Sequence, residues 1–86
     1  MIINKKIIAR EIKGETVLLN EENGDYFSLN TVGTEVYNCI CNGMEPGEIV
    51  SFLFNRYNVE FDTLKSDVES LIDEMQKKNI LIKHNR

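Results

Sequence analysis

Two thiols and one imidazole are the side chains of this sequence best suited to metal binding or nucleophilic chemistry. Cys39 and Cys41 are separated by one residue, and His84 stands near the C-terminal end. On a helix the two thiols would point about 200° apart, because each residue turns the helix by about 100°. They therefore cannot share a tetrahedral site without breaking the helix. We expect one buried and one exposed thiol, no metal site and no cofactor.

Carboxylate pairs offer a second kind of chemistry, general acid–base catalysis. Glu21 and Glu22 are adjacent, but they lead into Asn23-Gly24, a strong turn signal, so we expect a solvated turn there. Catalysis near neutral pH recruits a histidine, or a carboxylate in a pocket that shifts its pKa. The sequence has no Ser/His/Asp arrangement and no phosphate-binding glycine loop. We predict no catalytic residues and a protein that is not an enzyme.

Size and charge narrow the possible functions further. The 86 residues, 42% of them hydrophobic, predict a single domain over residues 1–86 with its core at about 7–83, too small for a deep active-site cavity. Fourteen acidic against ten basic residues give a formal net charge of −4, which disfavours binding to nucleic-acid phosphates. No apolar run approaches the roughly 20 residues of a membrane span. We expect a cytoplasmic protein with neither nucleic-acid nor membrane partners.

The first third of the chain has the pattern of β-strands. Residues 7–13 and 16–20 are rich in branched apolar side chains, which favour strands. Residues 25–29 follow the Asn23-Gly24 turn and alternate between two faces. The pattern predicts three antiparallel strands, the last two joined as a hairpin.

From residue 30 onward the apolar period becomes helical. A first helix runs from an N-cap at Asn30 or Thr31 to a stop at Gly43. A second helix begins at Pro46, whose missing N–H costs nothing in a first turn. We expect the second helix to be buried on more than one side, because two phenylalanines widen its stripe. The two apolar stripes are Val32, Val36, Cys39 and Ile40, and then Ile49, Val50, Leu53 and Tyr57, widened by Phe52 and Phe54.

The third helix is the longest, running from an N-cap at Asp62 to Asn79. Its apolar face consists of Leu64, Val68, Leu71, Ile72 and Met75. Residues 80–82 form a short apolar segment that makes a final strand or packs under the helices. The order predicts an α+β fold resembling a winged helix-turn-helix, with a three-stranded antiparallel N-terminal sheet followed by three helices.

This topology leaves a winged-helix DNA-binding transcriptional regulator as an alternative function, since the third helix takes the place of a recognition helix. Its charges argue against that function, because a helix with more acids than bases is repelled by phosphates. The charges are Asp62, Asp67, Glu69, Asp73 and Glu74 against Lys65, Lys77 and Lys78.

The strand at residues 25–29 supports a different hypothesis. A strand order of 1-2-3 leaves this strand at an edge of the sheet, where unpaired N–H and C=O groups can capture an extended peptide as an added strand. Asp25 partly guards this edge. A third possibility is that the edge pairs with a second copy, so we expect a monomer or a weak dimer.

The segment LNTVGTEVYNCICNG at residues 29–43 resembles the PqqD-like family. The residues on the family's Leu-Asn-x-x-Gly, aromatic and glycine positions are Leu29, Asn30, Gly33, Tyr37 and Gly43. The resemblance extends over about residues 7–83. Tyr37 stands where the family often has Trp, and Cys41-Asn42-Gly43 replaces an ending of the Leu-Asp-Gly type.

The resemblance implies a non-catalytic peptide chaperone, also called a RiPP precursor peptide recognition element. Such a domain binds the leader of a ribosomally synthesised precursor peptide. It delivers the leader to a modifying enzyme, which is a radical SAM enzyme, a cyclodehydratase or a lasso-peptide protease and cyclase. The leader is expected to add to the third strand and to lie against the third helix.

The peptide-binding residues implied by the resemblance lie on these two elements. They are the main chain of Tyr26, Phe27, Ser28 and Leu29 and the side chains of Leu64, Lys65, Val68, Ile72 and Met75. Within the helix we expect Leu64 and Leu71 mainly inside and Ile72 and Met75 nearer the rim. Lys65 is expected to pair with a leader carboxylate.

Overall fold

The computed structural model describes residues 1–82, so His84 lies outside the described residues. The predicted α+β order is confirmed: a three-stranded antiparallel sheet precedes three helices. The elements are β1 (Ile2–Ile3), β2 (Ile7–Ile12), β3 (Glu15–Asn20), β4 (Tyr26–Leu29), α1 (Thr31–Cys41), α2 (Pro46–Phe54), α3 (Phe61–Lys77) and β5 (Leu81–Ile82). No helix within residues 1–82 is both long and apolar enough to span a membrane.

The main sheet has the order β2-β3-β4, so β4, the predicted third strand, lies at an edge. A two-residue turn joins β2 to β3, and both of its residues, Lys13 and Gly14, have positive φ angles of 55° and 82°. Such a turn matches the twist of the flanking strands, and β2 therefore ends at Ile12 rather than at Lys13. In β3 the buried Leu18 alternates with the exposed Val17, as expected for a sheet with one covered face.

A second ribbon, not predicted from the sequence, joins the two ends of the described chain. β1 pairs antiparallel with β5, with Ile3 opposite Leu81. The Asn4 N–H donates to the Ile80 carbonyl at 2.9 Å. Ile80 and Leu81 are also buried, so the apolar segment at residues 80–82 both forms a strand and contributes to the core.

The ends of α1 and α3 follow from their capping residues. Asn30 is the N-cap of α1, and its Oδ1 accepts from the Gly33 N–H at 2.8 Å. Gly43 and Asn79 follow the ends of α1 and α3 at φ of 83° and 60°, the left-handed conformation that stops a helix. The start of α3 was predicted two residues late, since Glu60 rather than Asp62 is its N-cap.

The prediction that α2 is buried on more than one side is wrong. Ile49 and Leu53 are fully buried, but Phe52 and Phe54 are 43% and 42% exposed. The Phe54 ring packs edge-on against Phe61 at the start of α3, with 5.3 Å between ring centroids. The Phe54 and Phe61 rings therefore cover part of the surface between α2 and α3, and neither Phe52 nor Phe54 enters the core.

One hydrophobic core holds α1, α2 and α3 on the inner face of the sheet. A buried polar contact also lies between sheet and helix, where the Thr34 Oγ1 donates to the Thr16 Oγ1 at 2.9 Å. No buried side-chain nitrogen or oxygen lacks a hydrogen-bond partner in the described part of the chain. This contact fixes the position of α1 relative to β3, and hence relative to the edge strand beside it.

Tyr37 makes the stability of the fold sensitive to alkaline pH. It is 8% exposed, and burial, with Cys41 nearby, raises its pKa from 10.0 to about 12. The fold thus favours the neutral phenol, so this contribution to stability is complete below pH 10 and is lost as the pH rises to about 12. We expect the free energy of unfolding to fall by about 1–2 kcal/mol more in the wild type than in Tyr37→Phe over this range.

Urea unfolding at stepped pH, with tyrosinate absorbance as a second readout, measures this difference. Tyr26→Phe is the control, because Tyr26 is 70% exposed. An alkaline loss of stability that is the same in Tyr37→Phe and in wild type would contradict the assignment.

Candidate functional site

The free edge of β4 presents main-chain groups from alternate residues. The Asn20 N–H donates to the Asp25 carbonyl at 2.8 Å, which makes these two residues a hydrogen-bonded pair. Hydrogen-bonded and non-hydrogen-bonded pairs alternate along an antiparallel ladder. The next non-hydrogen-bonded pairs are Leu19–Tyr26 and Val17–Ser28, so the N–H and C=O groups of Tyr26 and Ser28 point away from β3.

This alternation corrects the predicted main-chain ladder. Phe27 lies opposite Leu18 and Leu29 lies opposite Thr16, and both are hydrogen-bonded pairs, so their main-chain groups are used within the sheet. Tyr26 and Ser28 are left as the residues of β4 able to hydrogen-bond an added strand. The side chains of Phe27 and Leu29 instead point toward the covered face of the sheet.

An open groove of about 480 Å³ lies beside this edge, between β4, the start of α1 and one face of α3. The β4 and α1 sides are formed by Phe27, Ser28, Leu29, Asn30, Val32, Gly33 and Val36. The α3 side is formed by Leu64, Asp67, Val68, Leu71 and Glu74. The groove therefore runs along the free edge of β4, with α3 on its other side.

Gly33 allows α1 to begin close to the end of β4. A Cβ at this position would lie 3.2 Å from Leu29 Cδ2 and 3.3 Å from the Asn30 Oδ1 that caps the helix. Contacts this short would require the Leu29 side chain or the Asn30 cap to shift by a few tenths of an ångström. The glycine of the Leu-Asn-x-x-Gly motif thus leaves room for close packing at the α1 end of the groove.

The groove contains some of the predicted side chains but not others. Leu64 and Val68 line its floor, although each is less than 10% exposed as a residue. Lys65 is exposed and lies outside the groove lining. Tyr26 is 70% exposed and lines a shallow depression with Lys78 instead.

The predicted placement of the other α3 side chains is wrong. Ile72 and Met75 were expected near the rim, but they are 7% and 0% exposed and belong to the core. Leu71 was expected inside, but it is half-buried and lines the groove. The face of α3 that meets the groove is thus turned by about one residue from the predicted face.

The charges of the groove are all negative. Asp67 and Glu74 are the charged residues among those that line it, and both are exposed. The nearby ion pair on α3 joins Lys77 Nζ to an Asp73 carboxylate oxygen at 3.1 Å, outside the lining. The groove is therefore an apolar channel with two carboxylates on its helical side.

The thiols do not form part of this site. Cys39 is buried and Cys41 is exposed, which confirms the prediction for this pair. Burial raises the pKa of the Cys39 thiol, and the Glu35 carboxylate adds to that effect. Within residues 1–82 no group of three or more His, Cys, Asp or Glu side chains is arranged to hold a metal ion.

Comparison of the sequence with known protein families gives a match over most of the chain. Residues 15–81 match the family described as Coenzyme PQQ synthesis protein D (PqqD), which includes β3, β4 and all three helices. The chain belongs to the PqqD family. A comparison with curated proteins gave no significant match.

Two solved structures share the fold of this PqqD-family chain over almost its whole length. One is TbiB1 in complex with the TbiA(beta) leader peptide, with a TM-score of 0.91, 28% identity and 100% of both chains covered. The other is lasso peptide synthetase B1 complexed with the leader peptide, with a TM-score of 0.86 and 21% identity, covering 94% of this chain and 95% of that chain. The second likeness is one of fold.

Sequence reasoning missed several residues that line the groove of this PqqD-family chain: Asn30, Val32, Asp67, Leu71 and Glu74. A signal for the last three was present, because residues spaced i, i+4 and i+7 share one helix face. Asp67 and Glu74 lie on an otherwise apolar face of α3 and indicate that this face borders solvent. In this structure the groove lies at that boundary.

Proposed function

We propose that this PqqD-family chain binds the leader of a ribosomally synthesised precursor peptide as an added strand on β4, without catalysing a reaction. The observation that carries the proposal is the free edge of β4, with outward main-chain groups at Tyr26 and Ser28, beside an apolar groove. The likeness to TbiB1, a protein solved with a leader peptide, supports it.

Main-chain hydrogen bonds and buried apolar side chains contribute different amounts to the binding free energy, so they have different roles in recognition. Each main-chain hydrogen bond contributes a net of only about 0.5–1.5 kcal/mol, and it is made by any peptide in the right register. A leucine- or phenylalanine-sized side chain buried in the groove contributes about 1.5–3 kcal/mol. The edge of β4 therefore sets the direction and register of the leader, and the groove supplies most of the affinity and the selectivity.

The bound leader is then delivered to a modifying enzyme, which is a radical SAM enzyme, a cyclodehydratase or a lasso-peptide protease and cyclase. Binding in the groove leaves the outer face of the sheet and the surface of α2 open for that enzyme. The same two carboxylates that line the groove, Asp67 and Glu74, repel a phosphate backbone and disfavour DNA as its occupant.

Amide chemical shifts of the isotope-labelled protein test the proposal. The probe is a synthetic leader from a precursor reading frame neighbouring the gene of this chain. We expect shifts concentrated at β4, at residues 30–36 and on α3. Stronger, salt-sensitive shifts with duplex DNA would support a regulator instead. A mass that rises with protein concentration in the absence of peptide would indicate that the edge pairs with a second copy.

A further inference from the structure

The residues that line the groove indicate which side chains a bound peptide carries, as well as where the peptide lies. Its two charged residues, Asp67 and Glu74, are seven positions apart and so lie on one face of α3, about 10.5 Å apart along the helix axis. Leu71 lies between them on that face and also lines the groove. An apolar contact is therefore flanked on both sides by a carboxylate.

We infer that the leader bound here carries an apolar anchor residue flanked by lysine or arginine side chains that pair with Asp67 and Glu74. The inference rests on the proposed function, and it names the class of peptide which that site selects. The carboxylates are not a site by themselves, because the apolar groove and the edge of β4 hold the peptide. They add charge complementarity to a peptide already in place.

The spacing of the carboxylates sets the spacing of the basic residues. An extended peptide rises about 3.3 Å per residue, so for a leader that runs along α3 the 10.5 Å spans about three residues, and the nearest spacings that keep two side chains on one face are two and four. Lysine and arginine side chains are long enough to reach a carboxylate from either neighbouring register. The expected pattern is two basic residues four positions apart with the apolar anchor midway, because residues i, i+2 and i+4 of an extended peptide share one face.

The alternative is a leader with acidic side chains beside the anchor, and the charges of the groove disfavour it. Lys65, the residue predicted to pair with a leader carboxylate, lies outside the groove lining. Lys77 is held by Asp73 one turn away. An acidic leader would place its carboxylates against Asp67 and Glu74, with no basic side chain among the lining residues to compensate.

Selection from a displayed library of random 12-residue peptides tests the inference without knowledge of the natural leader. The targets are the wild type, the reversed variant Asp67→Lys/Glu74→Lys and the control variant Asp62→Lys/Glu69→Lys. The control makes the same charge change at two exposed α3 residues that are also seven positions apart but do not line the groove.

We expect lysine and arginine to be enriched beside an apolar residue with the wild type and the control, and aspartate and glutamate with the reversed variant. A basic peptide selected on the wild type should bind the reversed variant about three- to tenfold more weakly at low salt. The difference should shrink as the ionic strength rises, because exposed pairs are screened.

The outcomes separate the inference from the proposed function on which it rests. Leu71→Asp, which alters the groove itself, serves as the test of where the selected peptides bind. Peptides that lose binding to Leu71→Asp but show no basic enrichment would overturn the inference and leave the proposed function standing. Peptides that bind Leu71→Asp as well as wild type lie outside the groove, and that result, or no enrichment at all, counts against both.

Discussion

Leu71→Asp is expected to weaken leader binding by about 10- to 100-fold while the chain stays folded. Leu71 packs partly against the core and lines the groove, so the exposed part of its side chain is available to an apolar residue of the leader. Losing that contact costs about 1.5–3 kcal/mol of binding free energy. The new carboxylate adds to the loss, because a leader that covers it has to remove its water. Calorimetric titration with the synthetic leader measures the change.

Ser66→Asp is the matched control for this variant. Ser66 is an exposed residue of α3 outside the groove lining, so the substitution introduces the same side chain on the same helix. We expect its leader affinity to stay within about twofold of wild type and both variants to keep the helical circular-dichroism signal. Wild-type affinity in a folded Leu71→Asp would show that the leader does not use the groove.

A carboxylate one residue further along α3 has a different expected effect. Ile72 is 7% exposed and belongs to the core with Met75 and Val68. Ile72→Asp would bury an unpaired charge, which a small domain with a few kcal/mol of stability does not tolerate. Loss of binding in that variant would report unfolding, so the pair of positions separates the groove face of α3 from its core face.

The strands show how far local pattern predicts this fold. The alternation of residues 25–29 and the Asn23-Gly24 turn predicted a hairpin, and β3 and β4 form that hairpin with β4 at the edge. The pattern predicted the hairpin correctly because one face of the sheet is covered and the other is open. Such a sheet has apolar and polar residues that alternate with a period of two. β1 was missed because two residues, Ile2 and Ile3, are too short to display any period.

The orientation of α3 could not be predicted from the local sequence pattern. Val68 belongs to two stripes, one through Ile72 and Met75 and one through Leu64 and Leu71. Both stripes are apolar, so the sequence alone does not distinguish the face that meets the core from the face that meets the groove. The choice depends on where the β1–β5 ribbon and α2 pack, and both are tertiary features: α3 contacts α2 and β5 on the core side. The acids at 67 and 74 were the one local indication of the groove side.

Ser28→Pro is expected to weaken leader binding about tenfold or more while preserving the sheet. The Ser28 N–H points away from β3, so proline at this position removes no hydrogen bond within the protein. It does remove one N–H from the edge with which, under the proposed function, the leader pairs. The proline ring also projects into the space that the added strand would occupy. Calorimetric titration with the leader, paired with thermal unfolding, gives both quantities.

Two further substitutions test whether the weaker binding of Ser28→Pro comes from the lost main-chain N–H. Ser28→Ala keeps the N–H and removes only the hydroxyl, so we expect leader affinity within about twofold of wild type. Phe27→Pro removes an N–H that pairs with Leu18 inside the sheet, so it should lower the unfolding temperature where Ser28→Pro does not. Equal affinity of Ser28→Pro and Ser28→Ala would mean that the leader lies in the groove without joining the sheet. The Leu71 contact would then have to account for recognition without a strand ladder.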